Sequence, residues 1–305
     1  MKAAQNESAH LHISTLIVME TSELLKKVRK VEIKTRGLSN QLFSGEYHTA
    51  FKGKGMTFSE VREYQAGDDI RSIDWNVTAR FNNPYVKVFE EEREMTVMLL
   101  VDVSASGEFG SQKQLKQELI TELCAVLAFS AIQNNDKIGV IFFTDKIEKF
   151  IPPKKGKSHI LRIIRDLIEF KPEHKHTDIK QALRYLTNVI KKRSIAFIIS
   201  DFMAPDFIDA LKIANKKHDL VALRIYDKRE QELPNIGLVK FMDAETGTTK
   251  WVNTSDKSVR THFAATAKKR EALIKEMFTK SGVDAANINT AESYINPLMN
   301  LFKRR

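Results

Sequence analysis

The chain has 305 residues, of which 42% are hydrophobic and 29% are charged. These fractions are typical of a folded globular protein and exclude a disordered, collagenous or disulfide-dense chain. Lysine and arginine outnumber aspartate and glutamate by 49 to 39, and the net charge of +10 favours acidic partners: proteins, anionic membrane surfaces or nucleic acid. The single cysteine, Cys124, excludes an intramolecular disulfide and a multi-cysteine metal site.

The start of the chain carries no recognisable targeting segment. Residues 1–20 are predicted to be a flexible leader, because they lack the basic and apolar regions of a secretory signal. The apolar runs further along are far shorter than the roughly 20 residues that a membrane-spanning helix needs. We therefore expect a cytoplasmic protein without a transmembrane segment, for which peripheral association with a membrane stays open.

Residues 21–94 are predicted to form an N-terminal segment with a helix and a β-rich part. Apolar residues from Leu24 to Val31 recur on one helical face, with lysines between them. Glycines and Pro84 interrupt residues 46–94, which contain short strand-like pieces. The sequence therefore predicts a helix followed by a small β-rich unit with loops.

Residues 95–305 are predicted to form a single α/β domain. The runs at 96–101 and 194–200 are apolar and partly β-branched, which is typical of strands buried on both faces of a parallel sheet. Their alternation with helical stretches favours a doubly wound, mostly parallel sheet wrapped by helices, with a hairpin insertion at about 233–254. Helices are predicted at 112–133, 158–170, 178–191, 205–216 and 256–281, and further strands at 137–143, 146–150, 219–225 and 286–290.

Oxygen-bearing side chains follow the first buried strand. Asp102, Ser104 and Ser106 are spaced at i, i+2 and i+4, so in an extended chain they point to the same side. Ligands of open α/β sheets bind at the carboxyl ends of the strands, which is where these residues are predicted to lie. Three hard oxygen ligands suit Mg²⁺ or a similar cation.

Two further oxygen ligands are predicted at neighbouring strand-end loops. Thr177 precedes a predicted helix, and its alternative role is a plain N-cap. Asp201 directly follows the strand at 194–200, and its alternative role is a loop carboxylate or helix cap. The predicted metal ligands are Asp102, Ser104, Ser106, Thr177 and Asp201.

These five residues, in this order, resemble the metal-ion-dependent adhesion site of von Willebrand factor A domains. A second group of motifs lies upstream: Gly-Met-Thr-Phe at 55–58, Glu-Val-Arg-Glu-Tyr at 60–64, Gly-Asp-Asp-Ile-Arg at 67–71, Ile-Asp-Trp at 73–75 and Thr-Ala-Arg at 78–80. With these motifs the chain resembles the bacterial domain-of-unknown-function 58 (DUF58) family, which couples such a segment to an A-type domain. The resemblance covers about residues 21–305.

The resemblance implies a von Willebrand factor A-like (Rossmann-like) fold with a bound Mg²⁺, or Mn²⁺ or Ca²⁺ in its place. The serines would bind the metal directly, the aspartates directly or through water, and Thr177 depending on the state. A vacant coordination position would accept an Asp or Glu from a client protein. Ala105 stands where the common loop has glycine, and alanine tolerates a tight loop less well.

The resemblance also implies a class of partner. Members of the family are typically encoded beside MoxR-type AAA+ ATPases and are thought to act with them in assembling or activating other protein complexes. We therefore expect a metal-dependent protein–protein interaction adaptor, and not an enzyme.

A metal-dependent hydrolase is the first alternative. Asp68, Asp69 and Asp74 would form the carboxylate cluster that two-metal hydrolysis requires. The simpler interpretation, which we favour, is that these residues cap turns and pair with arginines. The arginines nearby in sequence are Arg62, Arg71 and Arg80.

A basic nucleic-acid or membrane-surface binder is the second alternative. The basic clusters are scattered, and most lie on predicted helices beside glutamates, as on ordinary solvated faces. No aromatic-interleaved recognition pattern accompanies them, so we expect no specific nucleic-acid partner. An anionic membrane surface or an acidic face of an ATPase would use the same charge.

Overall fold

The structure is a computed structural model that divides the chain into two compact units. One unit is Phe51–Met95, and the other combines Met1–Ala50 with Thr96–Arg305. The leader predicted at 1–20 lies outside the described residues. Those residues are 26, 28, 29, 32, 35, 55–81, 83–92, 95–108, 115–242 and 247–305.

The described residues of the N-terminal helix belong to the larger unit, whereas the sequence grouped them with the β-rich part in a segment 21–94. The reason is their packing. Val28 is buried, and the Glu32 carboxylate lies 2.6 Å from the ammonium group of Lys157. An apolar contact and an ion pair therefore attach the described residues of this helix to the larger unit, although the β-rich part follows the helix in sequence.

The smaller unit is a hairpin with short helices in its connection. Strands β1 (Gly55–Glu63) and β2 (Tyr85–Glu92) pair antiparallel, with an irregularity between Phe58 and Glu60. A 3-10 turn at Ile70–Ser72 and helix α1 (Trp75–Phe81) lie between them. This agrees with a small β-rich unit.

A six-stranded sheet forms the centre of the larger unit. Its strands are β3 (Thr96–Asp102), β4 (Lys137–Phe143), β5 (Ile147–Lys154), β6 (Ile195–Ser200), β7 (Asp219–Tyr226) and β10 (Asp284–Asn289). They lie in the order β10-β7-β6-β3-β4-β5, and neighbouring strands run parallel except for β5, which pairs antiparallel with β4 at one edge. The edge position explains why β5 continues through Pro152 and Pro153, beyond its predicted end, since proline is tolerated on edge strands.

Helices cover both faces of this sheet. On one face, Met98 and Leu100 of β3 share a core cluster with residues of the helices α4 (Ile179–Val189), α5 (Ile208–Lys217) and α6 (Lys257–Ser281). Phe197 of β6 points to the opposite face, where its ring lies 6.5 Å from the ring of Phe302 in α7 (Ile295–Lys303). This alternation of side chains is what a strand buried on both faces requires. Helices α2 (Lys116–Gln133) and α3 (Lys157–Glu169) precede these four in the chain.

Helix α2 is buried along most of its length, because it is apolar on nearly all sides. Cys124 lies in this helix, fully buried, and burial raises the pKa of its thiol. Cys124 is therefore part of the core of this unit. None of the helices in the described part of the chain combines the length and apolarity that crossing a bilayer requires.

The predicted hairpin insertion is present as an antiparallel pair, β8 (Leu238–Met242) and β9 (Thr249–Asn253). The predicted fold class, a mixed α/β fold with a mostly parallel sheet wrapped by helices, is confirmed. From β3 the chain proceeds to β4 and β5 on one side, and later through β6, β7 and β10 on the other. The carboxyl ends of β3 and β6 therefore mark the topological switch point, where open α/β sheets form their binding crevice.

His218 gives this unit a measurable pH dependence. The residue follows α5, is fully buried, and its Nδ1 lies 3.0 Å from Ser194 Oγ; its Nε2 has no hydrogen-bond partner among the described residues. Burial, followed by the charges of Lys217 and Arg193, lowers the pKa of His218 to about 4. An unfolded histidine titrates near 6.5, so between these values the unfolded chain binds the proton and the folded chain does not.

We expect the contribution of His218 to the free energy of unfolding, measured as the difference between the wild type and His218→Asn, to fall by up to about 1.4 kcal/mol per pH unit as the pH drops from about 6.5 to 4. Urea unfolding at several pH values would measure this slope. In His218→Asn the contribution should disappear, whereas the control His174→Asn should retain it. Equal slopes in the wild type and His218→Asn would contradict the prediction.

Candidate metal centre

The carboxyl end of β3 and the loop that follows it carry the first three predicted ligands. Asp102 is the last residue of β3, and both Asp102 and Ser104 are buried. The expected extended geometry is wrong for Ser106, because the strand has ended and the chain turns into a 3-10 helix at Ala105–Glu108. The turn nevertheless places the Ser104 and Ser106 hydroxyl oxygens 3.1 Å apart.

The carboxylate of Asp102 accepts hydrogen bonds from three segments of the chain. Its Oδ1 accepts from the Ser104 backbone N–H at 3.1 Å and from the Thr177 hydroxyl at 3.4 Å, and its Oδ2 accepts from the Ser200 hydroxyl at 2.6 Å. The N-cap of α4 is Asp178, whose Oδ1 accepts from the Gln181 N–H at 3.0 Å. Thr177 therefore does not cap the helix, and its hydroxyl reaches the candidate site.

Backbone hydrogen bonds hold these loops together. The Ala105 N–H donates to the Lys175 carbonyl at 3.2 Å, and the Asp178 N–H donates to the Thr144 carbonyl at 2.9 Å. Ala105 is part of the 3-10 helix and does not have a positive φ, so this turn does not require glycine. The replacement of the usual glycine by Ala105 is thus compatible with the loop geometry.

The loop after β6 carries Asp201, whose carboxylate is buried beside a lysine. Lys116 Nζ lies 3.2 Å from Asp201 Oδ2 and 2.6 Å from Glu230 Oε1. The other carboxylate oxygen of Asp201 accepts from the Met203 N–H at 3.1 Å. Between them, Phe202 has a φ of +58°, a conformation that a bulky residue adopts only where its surroundings enforce it.

The two aspartates influence each other through a poorly hydrated environment. Burial is the main cause that raises the pKa of Asp102 to about 6, and the charge of Asp201 is the second; hydrogen bonds from Ser200 and Ser104 act in the opposite direction. Burial acts to lower the pKa of Lys116, but the charges of Asp201 and Glu230 outweigh it. The Lys116 side chain is therefore held as an ammonium ion.

The chemistry of this side-chain set fits a hard divalent cation. Each carboxylate oxygen of Asp102 accepts a hydrogen bond from a hydroxyl group, and Asp201 is close enough to raise the pKa of Asp102. A bound cation would relieve the repulsion between the two carboxylates. Within the described part of the chain no group of three or more histidine, cysteine or acidic side chains has a metal-binding arrangement. A cation here would depend on two carboxylates supplemented by hydroxyls.

Three residues of this cluster were not predicted as site residues: Ser200, Lys116 and Glu230. Ser200 could have been noticed, since it is a hydroxyl at the end of a buried strand, immediately before Asp201. Lys116 gives only a weak signal, a lysine in the first turn of an otherwise apolar helix. Its partners Asp201 and Glu230 are 85 and 114 residues away, so no spacing rule connects them.

The acidic residues of the smaller unit make local structural contacts. Both carboxylate oxygens of Asp68 accept from the Arg62 guanidinium, at 2.8 and 2.7 Å. Asp69 accepts from the Arg71 N–H and caps the 3-10 turn, and Asp74 accepts from N–H groups of α1 and lies 3.5 Å from Lys87. These contacts are those of the simpler interpretation, although the cation beside Asp74 is a lysine and not an arginine.

The mostly parallel sheet, its strand order and the helices on both faces define a von Willebrand factor A-like domain. The chain belongs to the family described as "Protein of unknown function DUF58", which matches residues 60–273. It is 26% identical to the uncharacterized protein Rv1480 of Mycobacterium tuberculosis over 290 residues, 94% of this chain and 91% of that protein. The resemblance to the DUF58 family noted in the sequence is confirmed.

Two of the solved structures to which this chain is similar come from Bacteroides. An aerotolerance-related membrane protein from Bacteroides fragilis is 16% identical and has a TM-score of 0.49, with 69% of this chain and 100% of that chain covered. BatB from Bacteroides thetaiotaomicron is also 16% identical, with a TM-score of 0.45 and coverage of 69% and 98%.

The hydrogen bond from Ser200 to Asp102 should be important for stability. We expect Ser200→Ala to lower the free energy of unfolding by about 1.5–3 kcal/mol, because it leaves a buried carboxylate oxygen without its donor. Urea unfolding in the presence of a chelator measures this effect without a metal contribution. Ser106→Ala, which removes a half-buried hydroxyl, is the matched control; a cost as large for this control would contradict the prediction.

Proposed function

We propose that this protein is an adaptor that uses a divalent cation to bind an acidic side chain of a client protein. The observation that carries this proposal is the convergence of oxygen-bearing side chains from separate segments at the carboxyl ends of the central strands. Asp102, Ser104 and Ser106 come from the end of β3 and the loop after it, Thr177 from a second loop and Asp201 from a third. Such convergence at a topological switch point is typical of ligand sites in open α/β sheets.

In this proposal the chain's own residues divide the work of holding the cation. The Ser104 and Ser106 hydroxyls are neutral ligands, and the carboxylates of Asp102 and Asp201 supply negative charge. Thr177 and Ser200 orient the Asp102 carboxylate by donating to its two oxygens. The bound cation would supply a coordination position for a carboxylate of the client. Because the hydroxyl ligands are neutral, they would not repel that carboxylate.

The proposed partners follow from the family resemblance and the charge. A MoxR-type AAA+ ATPase is the proposed working partner, and the client complex would be assembled or activated by the pair. The net charge of +10 favours acidic protein surfaces. In this role the protein carries out no reaction itself, and the cytoplasmic location expected from the sequence stays a prediction.

The hydrolase alternative has less support. Asp68 is paired with Arg62, and Asp74 is engaged by backbone N–H groups, so these carboxylates have structural partners. The pKa of Asp68 is lowered mainly by its hydrogen bond from Arg62. Desolvation acts to raise the pKa of Asp74, but the N–H groups of Val77 and Asn76 together with Lys87 outweigh it and lower the value. Ionised carboxylates would also suit metal ligands, so the argument against this alternative is the pairing of Asp68 and Asp74 with Arg62, Lys87 and backbone N–H groups.

We expect calorimetric titration to detect Mg²⁺ binding to the wild-type chain and none to Asp102→Ala. The physical reason is that Asp102 contributes one of only two carboxylates in the set. Asp68→Asn is the matched control, because it removes an acid that pairs with Arg62, and it should bind Mg²⁺ like the wild type. Equal binding by Asp102→Ala would show that the metal lies elsewhere.

Partner binding should follow the metal. Capture of a purified MoxR-type ATPase, or of an acidic client peptide on beads, should decrease when a chelator is added and should fail with Asp102→Ala. If binding persists in chelator and falls steeply with salt, the charge-driven alternatives are favoured, because counterion release dominates that mode. Duplex DNA and anionic vesicles tested alongside would separate these two alternatives.

A further inference from the structure

Lys116 occupies an unusual position for a lysine. It is the first residue of α2, and its side chain is only 2% exposed. Lysine is rarely buried unless it is paired, and a cation at a helix N-terminus is disfavoured by the helix dipole. Neither helix formation nor solvation explains this placement, so the reason must lie in the groups that the ammonium contacts.

The Lys116 ammonium contacts two carboxylates, and one of them, Asp201, belongs to the candidate metal centre. The ammonium lies 3.2 Å from Asp201 Oδ2, on one of the two carboxylates proposed to hold the cation. It lies 2.6 Å from Glu230 Oε1, and Glu230 is fixed in turn by accepting from the Asp227 N–H at 3.1 Å. Asp227 is held by the Thr290 hydroxyl at 2.7 Å. The ammonium therefore has a defined position beside Asp201.

The charges of the cluster show what this position does. Asp102, Asp201 and Glu230 are three carboxylates, and Lys116 is one ammonium, so the ionised cluster is negative by two charges. A divalent cation would neutralise it. Lys116 already neutralises part of the charge that would attract the cation, and two positive charges sharing one carboxylate repel each other strongly at low dielectric.

We propose that Lys116 is a positioning residue that weakens metal binding, because it serves as the counter-ion of Asp201 when no metal is present. The cation is then held tightly only when a partner's carboxylate binds with it. This inference rests on the proposed function, because it concerns the same metal site. Its consequence is that metal and client bind cooperatively, since the client supplies the negative charge that Lys116 offsets.

The test is Mg²⁺ titration of the full chain by calorimetry at pH 7.5 and fixed ionic strength. Lys116→Met keeps the length of the side chain and removes its charge, and we expect it to bind Mg²⁺ about tenfold or more tightly than the wild type. Lys116→Arg keeps the charge and should stay within about threefold of the wild type. Lys149→Met, which removes a lysine paired with Asp166 on the edge strand, controls for net charge and should leave the affinity unchanged.

Thermal unfolding provides a readout that does not depend on client binding. Without Mg²⁺, Lys116→Met should have a lower Tm than the wild type, because two carboxylates lose their counter-ion. Added Mg²⁺ should raise the Tm of this variant more than that of the wild type. A purely structural lysine would lower the Tm equally with and without Mg²⁺ and would leave the Mg²⁺ affinity unchanged, and that result would overturn the inference.

Glu230→Gln keeps the inference testable if Lys116→Met does not fold. This variant removes one negative charge and leaves the ammonium to Asp201, so we expect severalfold weaker Mg²⁺ binding; unchanged or tighter binding would overturn the inference. A wild type that binds Mg²⁺ no more weakly than Lys116→Met would overturn the role of Lys116 alone. Absence of Mg²⁺ binding in every folded variant would overturn the proposed function as well.

Discussion

The burial of the Asp102 carboxylate at the end of β3 is the constraint that determines how the loops at the carboxyl ends of the central strands are arranged. A buried carboxylate is costly unless hydrogen-bond donors replace its lost water. The chain supplies those donors from three places: the backbone of Ser104, the hydroxyl of Thr177 and the hydroxyl of Ser200. Because these donors come from two loops and from the end of β6, satisfying one carboxylate requires three separate segments of the chain to meet.

The geometry of the third loop shows the same constraint in its backbone. Ser200 donates to Asp102 and also accepts from the Phe202 N–H at 3.0 Å, while Asp201 accepts from the Met203 N–H. These bonds hold Phe202 at a positive φ, which for a non-glycine residue costs of order 1 kcal/mol or more. The chain retains a strained residue beside Asp201, and this conformation fixes the direction of the Asp201 carboxylate.

The sequence was informative where local pattern determines structure. Apolar, β-branched runs identified the central strands, and the oxygen residues after 96–101 and 194–200 marked the switch point. Thr177 and Asp178 could not be told apart as helix caps, because both are capping residues at adjacent positions. The position of Ser106 depended on where β3 ends, and the ion pairs of Lys116 join residues far apart in sequence, which no local pattern encodes.

The opposite signs of the global and local charge explain why a metal would be needed for an acidic partner. The protein as a whole has a net charge of +10, which attracts an acidic surface over distances of about a Debye length. Within the cluster of Asp102, Asp201, Glu230 and Lys116, three carboxylates outnumber one ammonium, so these residues repel an incoming carboxylate at contact distance. A divalent cation removes this repulsion without altering the long-range attraction. Metal dependence in the proposed function is therefore a consequence of the local charge, and the basic surface alone would not produce it.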